Sequence, residues 1–319
     1  MIDIDKDEFS PINSTQLFGL KNYFINFAKL YKDKKLPKVI LLNGDKGIGK
    51  FTLSFHLINY ILSLNLENSY NFDKLAINPK SLIYKSILKN TQENFIYLGN
   101  DKNINKTDID DVRNVKKKLN KSLLNNLPRF TVLDDVELLS SNSANALLKL
   151  IEEPSDFDYF FLIYNRKTSI IDTLRSRAIE IKIFLNNFQK ESIFNDLLKF
   201  RNMETDFPKN YINYTTPGML LNFSDCLKKI KLNKNDSFFN VASLLLEEFK
   251  KTKRSVYLDC IGFFLDLSFS KRVDKNNMKN IQDINTKIKT MNLLNQYRKF
   301  NLSNSSVLEL LKGYSEHAR

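Results

Sequence analysis

Residues that hold metal ions or cross-link a chain are scarce in this sequence. Its 319 residues include two cysteines, Cys226 and Cys260, which lie far apart and form no C-x-x-C pair. Histidine is equally rare and occurs as His56 and His317. Neither a disulfide framework nor a zinc or other His/Cys metal site is therefore indicated, and we expect both cysteines to be buried thiols.

Long apolar runs are missing as well. No stretch reaches the roughly 20 residues that a helix needs to cross a bilayer. The chain opens with the acidic segment MIDIDKDEF, where a signal peptide would be basic. We therefore predict a cytoplasmic protein without a membrane partner. Hydrophobic residues at 42% and charged residues at 27% are typical of a globular chain, and the length predicts two or three domains.

Basic residues outnumber acidic ones, which gives a formal net charge of +13. Clustered Lys and Arg bind polyanions such as DNA by releasing counterions from phosphates. The lysines are spread along the whole chain among many asparagines, however, a bias that the base composition of a genome also produces. The run Lys116, Lys117, Lys118 with Lys121 is more often a solvated helix face than a phosphate-binding one.

Strand and helix patterns alternate over residues 1–185. Short apolar, β-branched runs predict buried strands, and apolar residues at helical spacing predict helices between them. This alternation indicates an α/β fold with a parallel sheet covered on both faces. The predicted strands are 39–43, 94–99, 129–139 and 158–165, and the predicted helices are 14–34 (capped by Ser14 or Thr15), 50–64, 108–124 and 143–153.

The strand patterns end near residue 185, and residues 65–93 have no clear periodicity. Short helical segments cover 187–225, and amphipathic helices cover 236–312. We therefore predict three domains: an α/β domain over 1–185, a small helical domain over 186–228 and an all-helical domain over 229–319.

A glycine-rich turn follows the first predicted strand. Gly44, Gly47, Gly49 and Lys50 have the spacing of a nucleotide-binding P-loop. Glycines let backbone N–H groups turn toward phosphate oxygens, and the lysine reaches the outer phosphates. The turn therefore predicts a phosphate-binding site, the alternative being a purely structural glycine turn.

The residues that should hold and use magnesium depart from this pattern. Phe51 stands where a Ser or Thr hydroxyl would bind Mg²⁺. Thr52 follows, but it lies about 100° further around the helix. Asp134 supplies a carboxylate at the end of a buried strand, and Asp135 stands where a longer glutamate would orient the attacking water. Binding of ATP or ADP can survive these changes, whereas Mg²⁺-assisted hydrolysis should suffer; alternatively, both aspartates are solvated strand-end residues.

Four segments in order, GDKGIGK, VLDDVELLS, SANALLKLIEEP and TLRSRAIEI, carry a family resemblance over about residues 36–185. The chain resembles the delta-prime family of bacterial clamp-loader subunits, which belong to DNA polymerase III and to the AAA+ superfamily. The resemblance implies a P-loop AAA+ domain followed by a helical lid domain and a helical collar domain. A four-cysteine zinc module of many relatives is absent here, since no cysteine occurs between residues 63 and 107.

The resemblance also assigns roles to single residues. Arg177, in Ser176-Arg177-Ala178, corresponds to an arginine finger that reaches into the ATP site of a neighbouring subunit; the alternative is a surface charge. Asn165 corresponds to a polar residue that senses the γ-phosphate. In TTPGM, Met219 stands where active relatives carry a lid arginine.

Three functions fit these features. The first is a delta-prime-like subunit that helps to load the sliding clamp onto primed DNA. It would donate Arg177 to a neighbour without hydrolysing ATP itself, and its implied partners are gamma/tau and delta subunits, the sliding clamp and primer-template DNA. The second is an active clamp-loader ATPase of the gamma/tau type, with Thr52 rescuing metal binding. The third is a P-loop kinase, which does not account for LLKLIEEP.

Overall fold

The computed structural model describes residues 10–99, 109–121, 126–205, 207–230, 238–273, 281–300, 307–309 and 312. The chain forms two compact units. Among the described residues, the first unit comprises 10–99, 109–121, 126–204 and 216–218, and the second comprises 205, 207–215 and those from 219 onwards. The division into three domains stays a prediction, with residues 186–204 grouped in the first unit.

A five-stranded parallel sheet forms the centre of the first unit, as predicted. The strand order is β2-β3-β4-β1-β5. All residues of β1 and β3 are buried, because helices cover both faces of the sheet. The strands are β1 (Val39–Asn43), β2 (Phe95–Leu98), β3 (Arg129–Leu133), β4 (Asp158–Tyr164) and β5 (Ile179–Lys182).

Seven helices belong to the described part of the first unit alone: α1 (Lys21–Lys32), α2 (Lys50–Leu62), α3 (Leu82–Leu88), α4 (Ile109–Leu119), α5 (Ser141–Ile151), α6 (Asp172–Arg175) and α7 (Asn187–Phe200). They form two cores on opposite faces of the sheet. Ile40 and Leu42 of β1 pack into the core that contains α1 and α2. Val39 and Leu41 pack into the core that contains α4 and α5. Alternate residues of one strand therefore serve both cores.

The predicted start of the first helix is wrong, because α1 begins at Lys21 and not near Ser14. Residues before it pair with a distant segment: Leu17 N–H donates to the Leu75 carbonyl at 3.0 Å. Gly19 then has φ +72°, and a Cβ there would lie 2.1 Å from Ile193 Cδ1. A helix through this region would break the pairing and the close approach.

Two other elements were not predicted. The edge strand β5 has only four residues, two of them exposed, so its apolar pattern is weak. Residues 65–93, whose sequence has no clear periodicity, contain α3. The predicted strand 129–139 ends at Leu133, and a 3₁₀ turn over Val136–Leu138 follows it. Of the predicted helix 108–124, the structure shows α4 over Ile109–Leu119, and residues 108 and 122–124 lie outside the described residues.

A buried ion pair ties the amino ends of β3 and β4 to the end of α4. Arg129 Nε lies 2.7 Å from Asp158 Oδ1, and both side chains are less than 10% exposed. The same guanidinium donates to the carbonyl oxygens of Lys118, Leu119 and Lys121 at 2.6–3.1 Å. These bonds satisfy carbonyls at the C-terminus of α4 that have no partner inside a helix.

The described part of the second unit is helical. Its elements are a 3₁₀ turn (Lys209–Tyr214), most of α8 (Pro217–Lys229), α9 (Phe238–Thr252), α10 (Val256–Val273) and α11 (Ile281–Phe300). Both cysteines are buried there as free thiols, Cys226 in α8 and Cys260 in α10. Within the described residues of the whole chain, we find no helix with the length and apolar character needed to span a bilayer.

His56 joins α2 to the segments on either side of it. The imidazole is fully buried, with Nε2 at 3.0 Å from the Ser14 carbonyl and Nδ1 at 2.9 Å from the Tyr70 hydroxyl. A carbonyl only accepts, so Nε2 carries the proton and Nδ1 accepts from Tyr70. Burial lowers the pKa of His56 to about 4.

This histidine should make stability depend on pH. Its folded-state pKa of about 4 lies below the unfolded value near 6.5, so the unfolded chain binds more protons between these values. The contribution is complete above pH ~6.5 and falls by up to about 3 kcal/mol as the pH drops toward 4. Urea unfolding followed by circular dichroism at pH 7.0, 5.5 and 4.5 should show a shallower pH slope for His56→Gln. Equal slopes in both proteins would contradict the assignment.

Candidate functional site

The glycine loop, residues 44–49, joins the carboxyl end of β1 to the start of α2. Gly47 has φ +81° and Gly49, the residue that caps α2, has φ +98°. Both conformations strongly favour glycine. The structure therefore confirms the predicted strand, turn and helix, with Lys50 as the first helical residue.

Lys50 is folded back onto the loop that precedes it. Its Nζ donates to the carbonyl oxygens of Gly44 at 2.6 Å and Asp45 at 2.8 Å. Burial lowers the pKa of Lys50 to about 8, against the opposing effect of Asp134 and Glu137. The ammonium group is thus already held by backbone oxygens of the glycine loop.

Phe51 belongs to the core. Its ring is stacked on Phe55 with centroids 5.8 Å apart and meets the edge of Tyr97 at 5.1 Å. Thr52 is half-buried at the next position of α2. Since an aromatic ring fills the position expected to offer a hydroxyl, the residues present do not fit a P-loop Mg²⁺ site.

A segment from the start of α8, Thr216–Gly218, also engages the glycine loop. Thr216 Oγ1 donates to the Lys46 carbonyl at 2.6 Å, and Gly218 N–H donates to the Gly47 carbonyl at 3.0 Å. A Cβ on Gly218 would lie 2.7 Å from the Gly47 oxygen, so this approach requires glycine. The next residue along the chain, Met219, is buried.

The predicted polar residues at the ends of β3 and β4 do come together. Asn165 Nδ2 donates to Asp134 Oδ1 at 2.9 Å and to Asp135 Oδ1 at 2.8 Å. Lys167 Nζ lies 2.8 Å from the same oxygen of Asp135. Burial raises the pKa of Asp135, but Lys167, Lys46 and Asn165 outweigh burial, so the pKa lies below its usual range. Asp135 is therefore a paired carboxylate and a poor general base.

Sequence reasoning missed Glu137, which organises the residues after β4. Its carboxylate accepts the backbone N–H groups of Asn165 at 3.1 Å and Lys167 at 3.2 Å. Burial raises the pKa of Glu137 above its usual range. An acidic residue two positions after the aspartate pair was the available signal, but its partners lie 28 and 30 residues away.

Sequence reasoning also missed a set of polar side chains at the carboxyl end of β1. Asn43 donates to Glu180 of β5 and accepts from Arg166 Nε at 2.6 Å. Glu180 also pairs with Arg175 at 2.7 Å, and Arg166 reaches Asp45 Oδ1 at 3.4 Å. These polar groups connect the glycine loop, β1, β5 and the end of α6.

Arg177 lies away from the glycine loop of its own chain. It comes two residues before β5, whose Ile179 pairs with Ile40, while the loop begins at Gly44. The four residue steps from Ile40 to Gly44 correspond to about 13 Å along the strand axis. The side chain is 37% exposed, and its Nη2 lies 2.8 Å from Glu152 Oε1. The structure therefore separates Arg177 from the predicted nucleotide-binding residues.

This strand order, the glycine loop after β1 and the carboxylate pair after β3 define a P-loop protein of the AAA+ class. The family model described as DNA polymerase III, delta subunit, matches residues 19–187, and the chain belongs to this family. The resemblance to clamp-loader subunits of DNA polymerase III is thereby confirmed.

Curated relatives carry two subunit names. DNA polymerase III subunit delta' of Buchnera aphidicola subsp. Schizaphis graminum is 28% identical over 165 residues, which cover 52% of this chain and 48% of the relative. Subunit gamma of the same organism is 28% identical over 190 residues, covering 60% and 49%. The chain thus spans about half the length of these two relatives.

A solved structure supports the fold. The DNA polymerase III gamma subunit-related protein from Thermotoga maritima superposes with a TM-score of 0.53 at 15% identity. The alignment covers 93% of this chain and 99% of that chain. At this identity the likeness concerns the fold alone.

Restoring the missing hydroxyl should not restore a magnesium site. Phe51→Thr removes a buried ring and should lower the free energy of unfolding by about 3 kcal/mol. Mg²⁺-ATP should not raise the melting temperature of the variant, because the contacts of Lys50 and Thr216–Gly218 with the loop remain. Thr52→Ser is the matched control and should melt near the wild type. A rise of several degrees with Mg²⁺-ATP, in Phe51→Thr alone, would show that only the hydroxyl was lacking.

Proposed function

We propose that this protein is a delta-prime-type subunit of the DNA polymerase III clamp loader. It donates Arg177 to the ATP site of a neighbouring subunit and does not hydrolyse ATP itself. In this role it assembles in the cytoplasm with gamma/tau and delta subunits and helps to load the sliding clamp onto primed DNA. Family membership supports the assembly, and the site geometry supports the division of roles.

The observation that carries this proposal is the position of Arg177. It lies exposed at the amino end of β5, whereas the glycine loop lies at the carboxyl end of the adjacent β1. An arginine finger must reach a γ-phosphate, where it stabilises charge that spreads over the phosphate oxygens. About 13 Å of strand separates it from its own loop, and this separation supports a role toward another chain.

The state of the chain's own loop supports the second half of the proposal. Lys50 is held by loop carbonyls, Phe51 is packed in the core and Asp135 is paired with Lys167. ATP or ADP would have to draw Lys50 away from the Gly44 and Asp45 carbonyls to bind here. We therefore propose weak nucleotide binding without Mg²⁺-dependent turnover.

A second candidate is an active ATPase subunit of the gamma/tau type. The identity to a gamma subunit equals that to a delta' subunit, and the glycine loop is complete through Lys50. The buried ring of Phe51 weighs against this candidate, because Thr52 would need a large rotation of α2 to replace the lost hydroxyl.

If Arg177 is an arginine finger, its removal should slow ATP hydrolysis in the neighbouring subunit. In the complex reconstituted from the full set of subunits, Arg177→Ala should slow ATP hydrolysis at the receiving site by on the order of 10³- to 10⁵-fold. Pre-steady-state phosphate release measures this site separately from the others. Lys149→Ala, which removes another exposed cation of the first unit, should leave the rate unchanged. An unchanged rate for Arg177→Ala would remove the finger role.

The isolated chain should not hydrolyse ATP above background. Lys50→Ala should leave this background unchanged, and calorimetry should detect ATP or ADP only weakly, with or without Mg²⁺. Steady-state phosphate release and titration calorimetry on the purified chain provide the test. Turnover that Lys50→Ala abolishes would instead favour the gamma/tau-type candidate.

A further inference from the structure

We infer that Glu152 is a positioning residue for Arg177: it holds the guanidinium so that two N–H donors face an incoming phosphate. This inference rests on the finger role proposed above. Glu152 terminates α5, and Arg177 follows α6, so the contact joins the ends of two helices across 25 residues of sequence.

The geometry fixes one side of the guanidinium. Nε of Arg177 donates to Glu152 Oε1 at 2.9 Å, and Nη2 lies 2.8 Å from the same oxygen as an ion pair. Nη1 donates to the Thr173 carbonyl at 3.1 Å. The acceptors thus come from α5 and from the backbone of α6, and together they restrict rotation about the last bonds of the side chain.

A count of donors shows what remains for a ligand. A guanidinium has five N–H groups, and the hydrogen bonds use one on Nε and one on Nη1. One N–H on Nη1 and those on Nη2 are left. Two donors on adjacent nitrogens match the bidentate geometry with which arginine binds phosphate oxygens.

The ion pair between Glu152 and Arg177 is weak enough for a bound triphosphate to break. The two side chains are 46% and 37% exposed, and ion pairs with this exposure are weak and screened by salt. A triphosphate carries more charge than one carboxylate, so it can draw the guanidinium forward. The backbone N–H of Glu152 donates to the Leu148 carbonyl at 3.0 Å, which anchors the residue at the end of α5.

The test uses the full chain in the reconstituted complex. Glu152→Ala should lower kcat at the receiving site about two- to fivefold, the range expected for losing an exposed pair, and leave KM unchanged. Glu152→Gln keeps an oxygen acceptor and should restore most of the rate. Glu153→Ala is the matched control, because Glu153 is the adjacent exposed carboxylate, and it should have no effect.

The double variant Glu152→Ala/Arg177→Ala distinguishes positioning from an independent structural role. It should be no slower than Arg177→Ala alone, because Glu152 acts only through Arg177. An additional loss in the double variant, or an unchanged or higher kcat for Glu152→Ala, would overturn the inference. If Arg177→Ala itself has no effect, the proposed finger role fails first, whatever Glu152→Ala does.

A spectroscopic readout does not depend on activity. In the isolated chain labelled with ¹⁵N-arginine, the Nε–H signal of Arg177, assigned from its absence in Arg177→Lys, should be protected from solvent exchange. Glu152→Ala should remove this protection, whereas Glu153→Ala should retain it. Protection that survives Glu152→Ala would also overturn the inference.

Discussion

The parallel register of β1 with β5 places the glycine loop and Arg177 at opposite edges of one sheet. Ile40 pairs with Ile179, and Asn43 pairs with Lys182. The glycine loop therefore follows the carboxyl end of this strand pair, whereas Arg177 precedes its amino end. In a parallel pair of strands, the glycine loop and Arg177 could come together only if the register between β1 and β5 changed. An edge strand of four residues has few ladder bonds to resist such a slip. The side-chain bonds from Asn43 to Glu180, and from Glu180 to Arg175, add specificity to the register.

The carboxyl edge of the sheet satisfies its charges internally. Lys50 is bound to loop carbonyls, Asp135 to Lys167, and Asp134 to Asn165. In an active P-loop these groups must be available to phosphate, metal and water. Here each of them would lose an existing partner before it gained a new one. The carboxyl ends of these strands therefore carry a polar network whose members already have partners within the chain.

Local patterns predicted the central elements of the fold, and long-range contacts decided the rest. β1, the glycine loop and α2 follow from a short apolar run, three glycines and a lysine, all within residues 39–62. The start of α1 could not be predicted, because it depends on pairing between Leu17 and Leu75. The aspartates and Asn165 were placed correctly since parallel strands end at one edge. Glu137 and Glu152 were not identified as site residues, because each acts on a residue about 25 to 30 positions away.

In the function proposed above, one chain combines an altered glycine loop with an arginine finger, and magnitudes show why the two features can vary separately. Burying an aromatic ring such as Phe51 contributes about 2 to 3 kcal/mol, so a ring at this position stabilises the core that surrounds it. The exposed pair of Arg177 with Glu152 contributes at most about 1 kcal/mol. The strands and helices beneath Arg177 therefore set where the residue lies, and the pair with Glu152 orients only its guanidinium. A substitution beside the glycine loop, such as a phenylalanine at position 51, therefore need not disturb Arg177. The glycine loop and Arg177 share no contact and lie at opposite ends of the β1–β5 pair.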